Sequence, residues 1–338
     1  MVGVLVIIFV LFQVLGGDPA RLQLDQRADV QTLEAIRKDL GLDRPKHIQF
    51  FMYINDISPF SFHNNSIKNQ EKYRYSTLLK FSKSKVFVIK RPYLRRSWQT
   101  NREVTDILMS ALPNTVILAV VSIILASIFG IFLGIIAAVN KNTLIDNVTV
   151  FTSIIGISLP SYVSGIIIGW LFGYLLSDIT GLQMTGSLYE IDASGRHLAL
   201  QNLILPAIAL GIRPLAIIVQ LTRSAMLDVL NQDYIRTAVA KGLTRRAVLF
   251  RHALRNALNP VITAISGWFA ALLAGAFFIE IIFDWKGIGY YTIHAVLAGD
   301  FPVVMGSVLL TASFFVVINM MIDIFYGILD PRVSIKSN

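Results

Sequence analysis

Five stretches of this chain are each long and apolar enough to cross a lipid bilayer, whose hydrocarbon core asks for about 20 residues of helix. They run from about Asn114 to Val139, Val148 to Leu176, Leu203 to Thr222, Pro260 to Phe283 and Val303 to Tyr326. A sixth, Met1 to Leu15, is apolar but short, and no basic residue precedes it. Two readings fit this end. As a signal peptide it lacks a charged start, and Gly16-Gly17-Asp18-Pro19 is a poor cleavage site. As a first span it is missing its opening turn. The span is the favoured reading, which gives about six transmembrane helices in an all-α polytopic protein. Composition agrees: 54% of residues are apolar and 15% charged, against about 25% charged in soluble domains. The absence of cysteine excludes a disulfide scaffold, thiol nucleophiles and Cys-type zinc sites.

Lysine and arginine in short loops set orientation. The loop 226–259 carries Arg236, Lys241, Arg245, Arg246, Arg251 and Arg255, and Lys141 and the tail 330–338 add more. Ser177 to Asn202 has only Arg196, and Asp284 to Pro302 only Lys286. The 226–259 loop and both termini are therefore expected in the cytoplasm. Residues 16–105 form an extracytoplasmic segment, and 106–329 the five-helix core. Most of the +9 net charge belongs to these two regions and is no nucleic-acid footprint.

The outer segment opens with an expected helix: Asp29 caps it, Val30, Leu33, Ile36 and Leu40 recur at helical spacing, and Gly41 with Pro45 ends it. Val86-Phe87-Val88-Ile89 reads as a strand. Asn64 to Lys85 reads as an insertion, loosely structured or ordered by a partner. A solvated outer cap and a docking surface for another protein are both open here.

The 226–259 loop predicts two helical stretches broken at Gly242. Thr244 can cap the second, where Ala247, Phe250, Leu254 and Leu258 make an apolar stripe beside Arg251 and Arg255. Such a unit suits a partner's groove or an anionic lipid surface; the residues alone do not choose.

Several motifs, in order, resemble the transmembrane permease subunit of binding-protein-dependent ABC importers, in the oligopeptide/dipeptide/nickel branch. They are Gly17-Asp18-Pro19-Ala20, Ala35 to Asp43 with Pro45, Leu112-Pro113-Asn114-Thr115 and Leu221-Thr222-Arg223-Ser224-Ala225-Met226. Asp233-Tyr234-Ile235-Arg236-Thr237-Ala238, Phe283-Asp284-Trp285-Lys286-Gly287-Ile288-Gly289 and Leu329-Asp330-Pro331-Arg332 follow. The resemblance covers nearly the whole chain. It implies the type I ABC importer permease fold and a role as half of a translocation pathway for di- or oligopeptides, with nickel chelates or another small solute as the alternative. It implies four kinds of contact: a second permease of like fold, two ATP-binding cassette ATPases, an extracytoplasmic solute-binding protein, and the bilayer of the bacterial cytoplasmic (inner) membrane. It also implies that the loop enters an ATPase cleft through Tyr234, Arg236, Thr237, Ala238, Lys241, Gly242, Arg245, Arg251 and Leu254. The family's coupling motif is Glu-Ala-Ala, three residues, Gly, nine residues, Ile-x-Leu-Pro. Ala238, Gly242 and Leu254 match it, whereas Arg236, Thr237, His252 and Arg255 depart from it. Arg-Thr-Ala resembles this branch's own variant.

The sequence holds no phosphate-binding Gly-x-x-x-x-Gly-Lys-Ser/Thr loop, so ATP is expected on partner subunits and this chain is expected to be non-catalytic, with no cofactor of its own. The histidines, at 47, 63, 197, 252 and 294, read as surface or interface residues, and no metal cluster is expected. Arg213 lies mid-span, where a charge costs about 2.5–3.5 kcal/mol. It is a candidate pathway or gate residue. Otherwise it forms a structural ion pair, for example with Glu280 or Asp323, or meets the second permease. Pro160, Pro206 and Pro214 predict kinks, and Gly130 with Gly134 predicts close helix packing. An ion-driven secondary transporter is the rival reading, but it would want acidic residues at mid-membrane, whereas Glu280 and Asp323 lie towards span ends. An intramembrane hydrolase lacks a catalytic pair at matched depth.

Overall fold

A computed structural model describes residues 2–11, 43–81, 85–192 and 195–329. The helix expected over Asp29–Leu40, the Gly17–Ala20 motif and the tail 330–338 lie outside them. The chain divides into two compact units, one of residues 1–112 with 291–313, the other of 113–290 with 314–338. The main helices are α1 (Val2–Phe9), α2 (Lys46–Ile57), α3 (Ile67–Tyr73), α4 (Val104–Val139), α5 (Leu144–Ser158), α6 (Ser161–Trp170), α7 (Ser177–Thr180) and α8 (Gln201–Leu230). They continue with α9 (Asp233–Ala240), α10 (Arg245–Ala247), α11 (Leu254–Gly275), α12 (Phe277–Ile282), α13 (Ile288–Leu297) and α14 (Phe301–Leu329).

Four of the five long apolar stretches are single helices able to cross a membrane, and the fifth is the bent pair α5 and α6. The boundaries move from those expected. Helix α4 begins ten residues before Asn114 and carries Pro113 inside it. At 36 residues it is about 54 Å long, well beyond a hydrocarbon core of about 30 Å, so its polar first turns escape a hydropathy reading. Pro260 does not start a span. It lies within α11, in a helical run from Arg245 to Leu273. The short stretch at the start is described to Leu11, with helix α1 in it.

Proline behaves differently at each site. Pro206 and Pro214 sit inside an unbroken α8. At Pro160 the chain bends by 110°, much more than a kink. Leu159 and Pro160 both take extended backbone angles there, as expected for a residue preceding proline that leaves the helix.

The unit 1–112 with 291–313 holds an antiparallel sheet of β1 (Phe60–Asn64), β3 (Lys85–Ile89) and β2 (Ser76–Lys80), in that order. Strand β3 was expected; β2 and α3 were not. Within Asn64–Lys85 the described residues thus hold two regular elements, α3 and β2. Ser66 caps α3 by accepting from the Asn69 amide, and Arg74, at φ +46°, ends it. The helix is short and polar, and every residue of β2 is exposed, so neither prints an apolar period on the sequence.

The sheet buries Ser61, His63, Val86 and Val88. Behind it, Tyr73 donates to Asp56 and the Lys90 ammonium donates to the Asp56 carbonyl. His63 hydrogen-bonds Ser61 and packs tilted against Tyr73, ring centroids 4.2 Å apart. Burial, with the Lys90 charge second, pushes the imidazole of His63 down to about 4. Burial likewise pushes Lys90 down to about 8. Between pH 4 and 6.5 the unfolded segment binds a proton on His63 that the folded one refuses, so this layer loses stability as the pH falls through that window. Amide protection factors, which correct for the slower intrinsic exchange in acid, are expected to fall in strands β1 and β3 between pH 7 and 4.5, and His63→Gln to flatten the dependence. Equal protection factors at both pH values would refute this. In the same unit the Asp300 carboxyl accepts from Ser97 Oγ at 2.5 Å and from the Trp98 amide at 3.0 Å, which fastens the turn before α4 to the start of α14.

The unit 113–290 with 314–338 is built on α8, the most buried of the spans. Its core joins Leu118 and Ile123 of α4, Ile168 of α6, Leu203, Leu205 and Leu210 of α8, and Leu272, Ile279, Phe283 and Trp285. Gly130 and Gly134 let α4 touch α8. A Cβ on Gly134 would stand 2.6 Å from Thr222 Cβ and 2.8 Å from the Val219 carbonyl. Packing within the bundle, not a separate dimer seam, accounts for this pair.

Candidate functional site

The loop 226–259 folds as two helical pieces around Gly242, as its sequence predicts. Gly242 takes φ +78°, a left-handed conformation that costs other residues about 1–2 kcal/mol. Thr244 accepts from the Ala247 amide and caps the second piece. Ile235 and Ala238 of α9 are buried with Ala138, Met226, Val248, Ala253 and Ala257. Behind them lies a cleft of about 410 Å³ lined by Leu230, Ile235, Val239, Leu243 and Val248.

The apolar stripe differs from the expected one. Phe250 points outward, and Val248, Ala253 and Ala257 are buried in its stead. Phe250 stands two residues after buried Val248 and so on the opposite side of the helix, and a wide π-type turn spans Val248–Ala253. It adds a residue to one turn and rotates everything after it, so burial steps by five residues and then by four. Leu254 packs at the edge of this cluster. Tyr234 accepts from Asn256 Nδ2 at 2.8 Å, which ties the two pieces together. Arg236 pairs with Asp233 at 3.4 Å. Thr237, Lys241, Arg245, Arg251 and Arg255 are exposed. The nine loop residues thus divide: Ala238 and Leu254 anchor, Gly242 shapes, and Tyr234, Arg236, Thr237, Lys241, Arg245 and Arg251 face outward.

A fork below this loop was not singled out from the sequence. Arg223 of α8 donates through both its Nε and a terminal nitrogen to Asp146 at 2.5 and 2.7 Å. Asp146 also accepts from the Asn142 amide at 2.9 Å and is buried. The pair fixes the turn between α4 and α5 against the end of α8. Arg223 stands in the quoted Leu221–Met226 motif, whereas its partner Asp146 showed only as a lone acid two residues before an apolar stretch.

Two of the motifs quoted above meet at Glu280. Its carboxyl accepts from Thr115 Oγ1 at 2.7 Å and from the Tyr290 amide at 3.0 Å. Thr115 accepts in turn from the Ile288 amide, Asn114 donates to the Lys286 carbonyl, and Trp285 Nε1 donates to the Asn114 carbonyl. Glu280 and Trp285 are fully buried. Gly289 is glycine because a Cβ there would lie 2.5 Å from Phe277 Cα.

Glu280 is therefore engaged and does not pair with Arg213, nor does Asp323 among the described residues. Arg213 is exposed on α8 and lies over the Trp268 ring, 5.9 Å from its centre. The ion pair was one of the readings offered for Arg213; among the described residues it makes a cation–π contact instead. Of the histidines, His63 is buried, while His47, His197 and His294 are exposed. Among the described residues no three His, Cys, Asp or Glu side chains gather as metal ligands.

Residues 130–335 match the family "Binding-protein-dependent transport system inner membrane component", and residues 1–119 match its N-terminal companion. The chain is 35% identical to the di/tripeptide transport system permease protein DppB of Pseudomonas aeruginosa, over 98% of this chain and 94% of that one. It is 34% identical to the probable D,D-dipeptide permease protein DdpB of Escherichia coli, over 98% and 93%. It is 32% identical to the glutathione permease protein GsiC of Salmonella choleraesuis, over 98% and 94%. A chain of the MetNI methionine ABC transporter in inward-facing form shares the fold, with a TM-score of 0.52 at 17% identity over 67% of this chain and 97% of that one. With its helical spans, its loop broken at Gly242 and its interlocked motifs around Glu280, the chain belongs to the binding-protein-dependent ABC importer permeases, as a non-catalytic membrane-spanning subunit.

Proposed function

We propose that this subunit forms half of the pathway of an ATP-driven importer of small peptides in the bacterial inner membrane. A second permease of like fold completes the pathway. Two ATPase subunits bind and hydrolyse ATP on the cytoplasmic side, and a solute-binding protein delivers peptide to the segment 16–105 outside. Relatives that carry di- and tripeptides and glutathione support the cargo class. The observation that carries the mechanism is the Asp233–Arg255 unit, anchored by Ile235, Ala238 and Ala253 and presenting Arg236, Lys241, Arg245 and Arg251 outward. A rigid, cationic, helix-broken projection suits an ATPase cleft: movement there reaches α8 and α11 directly. Arg213, exposed beside Trp268, suits the carboxylate of a passing peptide.

The test is uptake of labelled dipeptide into proteoliposomes holding all subunits, with ion gradients collapsed. Uptake that follows ATP supports the proposal; uptake that needs an ion gradient defeats it. Gly242→Val is expected to leave ATP hydrolysis running while uptake falls, because a β-branched residue at positive φ realigns the two helical pieces. Coupled uptake at the normal rate would argue against the coupling role. Arg213→Ala is expected to lower peptide uptake with Arg213→Lys intermediate. A drop in melting temperature without a change in uptake kinetics would instead assign Arg213 to structure.

A further inference from the structure

The three-stranded sheet turns its phenylalanines outward. Strand pairing puts Phe60 opposite Ile89, and sets Phe62 and Leu79 on either side of Phe87. The alternation of the strands then sends all of these to the face opposite Ser61, His63, Val86 and Val88. Phe60 is 54% exposed, Phe62 58%, Leu79 58% and Phe81 67%. The rings form one continuous patch: Phe62 lies 4.9 Å from Phe87 and 5.9 Å from Phe81, and Phe60 stacks 6.3 Å from Phe87. An apolar patch of this kind on a folded surface marks a contact site. The same strands carry exposed Lys80 and Lys85, with Lys83 between them in sequence and no acidic residue on any of the three.

We propose that this face rests on an anionic lipid surface, with the phenylalanines in the headgroup–acyl boundary and the lysines on lipid phosphates. Two facts select lipid over a protein. The patch joins an aromatic and aliphatic centre to an all-cationic edge, the pairing that anchors segments at a bilayer interface. The chain itself crosses the bilayer, and only residues 90–103 separate β3 from spanning helix α4, so a lipid surface is always within reach, whereas a soluble partner comes and goes. The contact would hold the sheet beside the membrane and fix the side from which a delivery protein approaches.

The chain has no cysteine, so a single label reports cleanly. Phe62→Cys, which empties no buried site, is labelled with bimane in nanodiscs of mixed phosphatidylcholine and phosphatidylglycerol. Glu71→Cys, exposed on α3, is the control. The expected result is strong quenching at position 62 by lipids brominated near the headgroup, and little at position 71. Lys80→Glu with Lys85→Glu is expected to weaken that quenching, since each lysine near an anionic surface contributes about a fivefold preference. Equal access of aqueous iodide to both positions would overturn the proposal. So would shielding of position 62 that appears only when a solute-binding protein or second permease is added, which would assign the patch to protein docking. Quenching indifferent to phosphatidylglycerol and to the lysine reversals would overturn the anionic selectivity.

Discussion

Asp146→Ala is expected to destabilise the membrane core by about 1.5–3 kcal/mol, the range for losing hydrogen bonds to a charged group, since the Arg223 left behind is only partly buried. The carboxyl is almost wholly inaccessible, whereas the Arg223 side chain is 25% exposed. Loss of Asp146 leaves a two-pronged guanidinium and the Asn142 amide without their acceptor. The matched prediction is that Asp146→Leu combined with Arg223→Met recovers much of the loss, because an apolar pair of similar volume avoids desolvating either charge. Thermal unfolding of the purified chain in nanodiscs measures both. A single alanine variant that melts with the parent would show that the fork adds nothing to stability. The functional consequence is local: the fork holds the α4–α5 turn to the end of α8, the helix that leads into the coupling loop. Uptake is expected to fail in the single variant at temperatures below its melting transition, where it is still folded.

The second large effect is expected at Glu280. Alanine there removes the acceptor of the buried Thr115 hydroxyl and one acceptor of the Tyr290 amide. An unsatisfied buried donor costs about 1–3 kcal/mol, which is the loss expected from Thr115. Glu280→Gln keeps one carbonyl acceptor but turns an amide N–H₂ towards a donor, and is expected to fall between alanine and parent. Gly289→Ala tests the same cradle from the other side, since its methyl would meet main chain at Phe277 and not a movable side-chain tip. Melting temperature and the yield of folded chain are the readouts. If Glu280→Ala, Glu280→Gln and Gly289→Ala all behave as the parent, the interlock is incidental. Its weight in the fold follows from what it joins: residues 114–115 to residues 285–290, through four side chains and their backbone partners.

Much of this was legible along the sequence wherever a feature is local. The number of long apolar stretches follows from bilayer thickness. Gly242 marks the break in the coupling loop because only a residue without Cβ takes φ +78° freely, and Thr244 marks the restart because its hydroxyl satisfies a bare helix-end amide. Gly130 and Gly134 announced a close crossing. The Val86–Ile89 strand was visible in its apolar run. Each of these is decided within a few residues of itself.

The tertiary structure decided the rest. Whether a proline bends or passes is one case: Pro214 is buried inside a continuous α8, while Pro160 ends one helix and starts another. Both lack an amide proton, and only the packing around each says what replaces the missing bond. Phe250 left the expected stripe because Val248 is the buried residue there, and a π-type turn then carries burial on to Ala253 and Ala257. Arg213 and Glu280 were each credible ion-pair partners by type, yet one lies over Trp268 and the other takes its bonds from Thr115 and Tyr290, positions 165 and 10 residues away. Strands β1 and β3 bury a histidine, and β1 exposes phenylalanines, which residue type alone does not foretell. Local sequence fixes what a residue can do, through its length, charge and backbone freedom. Which partner it meets depends on distant segments brought together, and that information is carried by the packed chain as a whole.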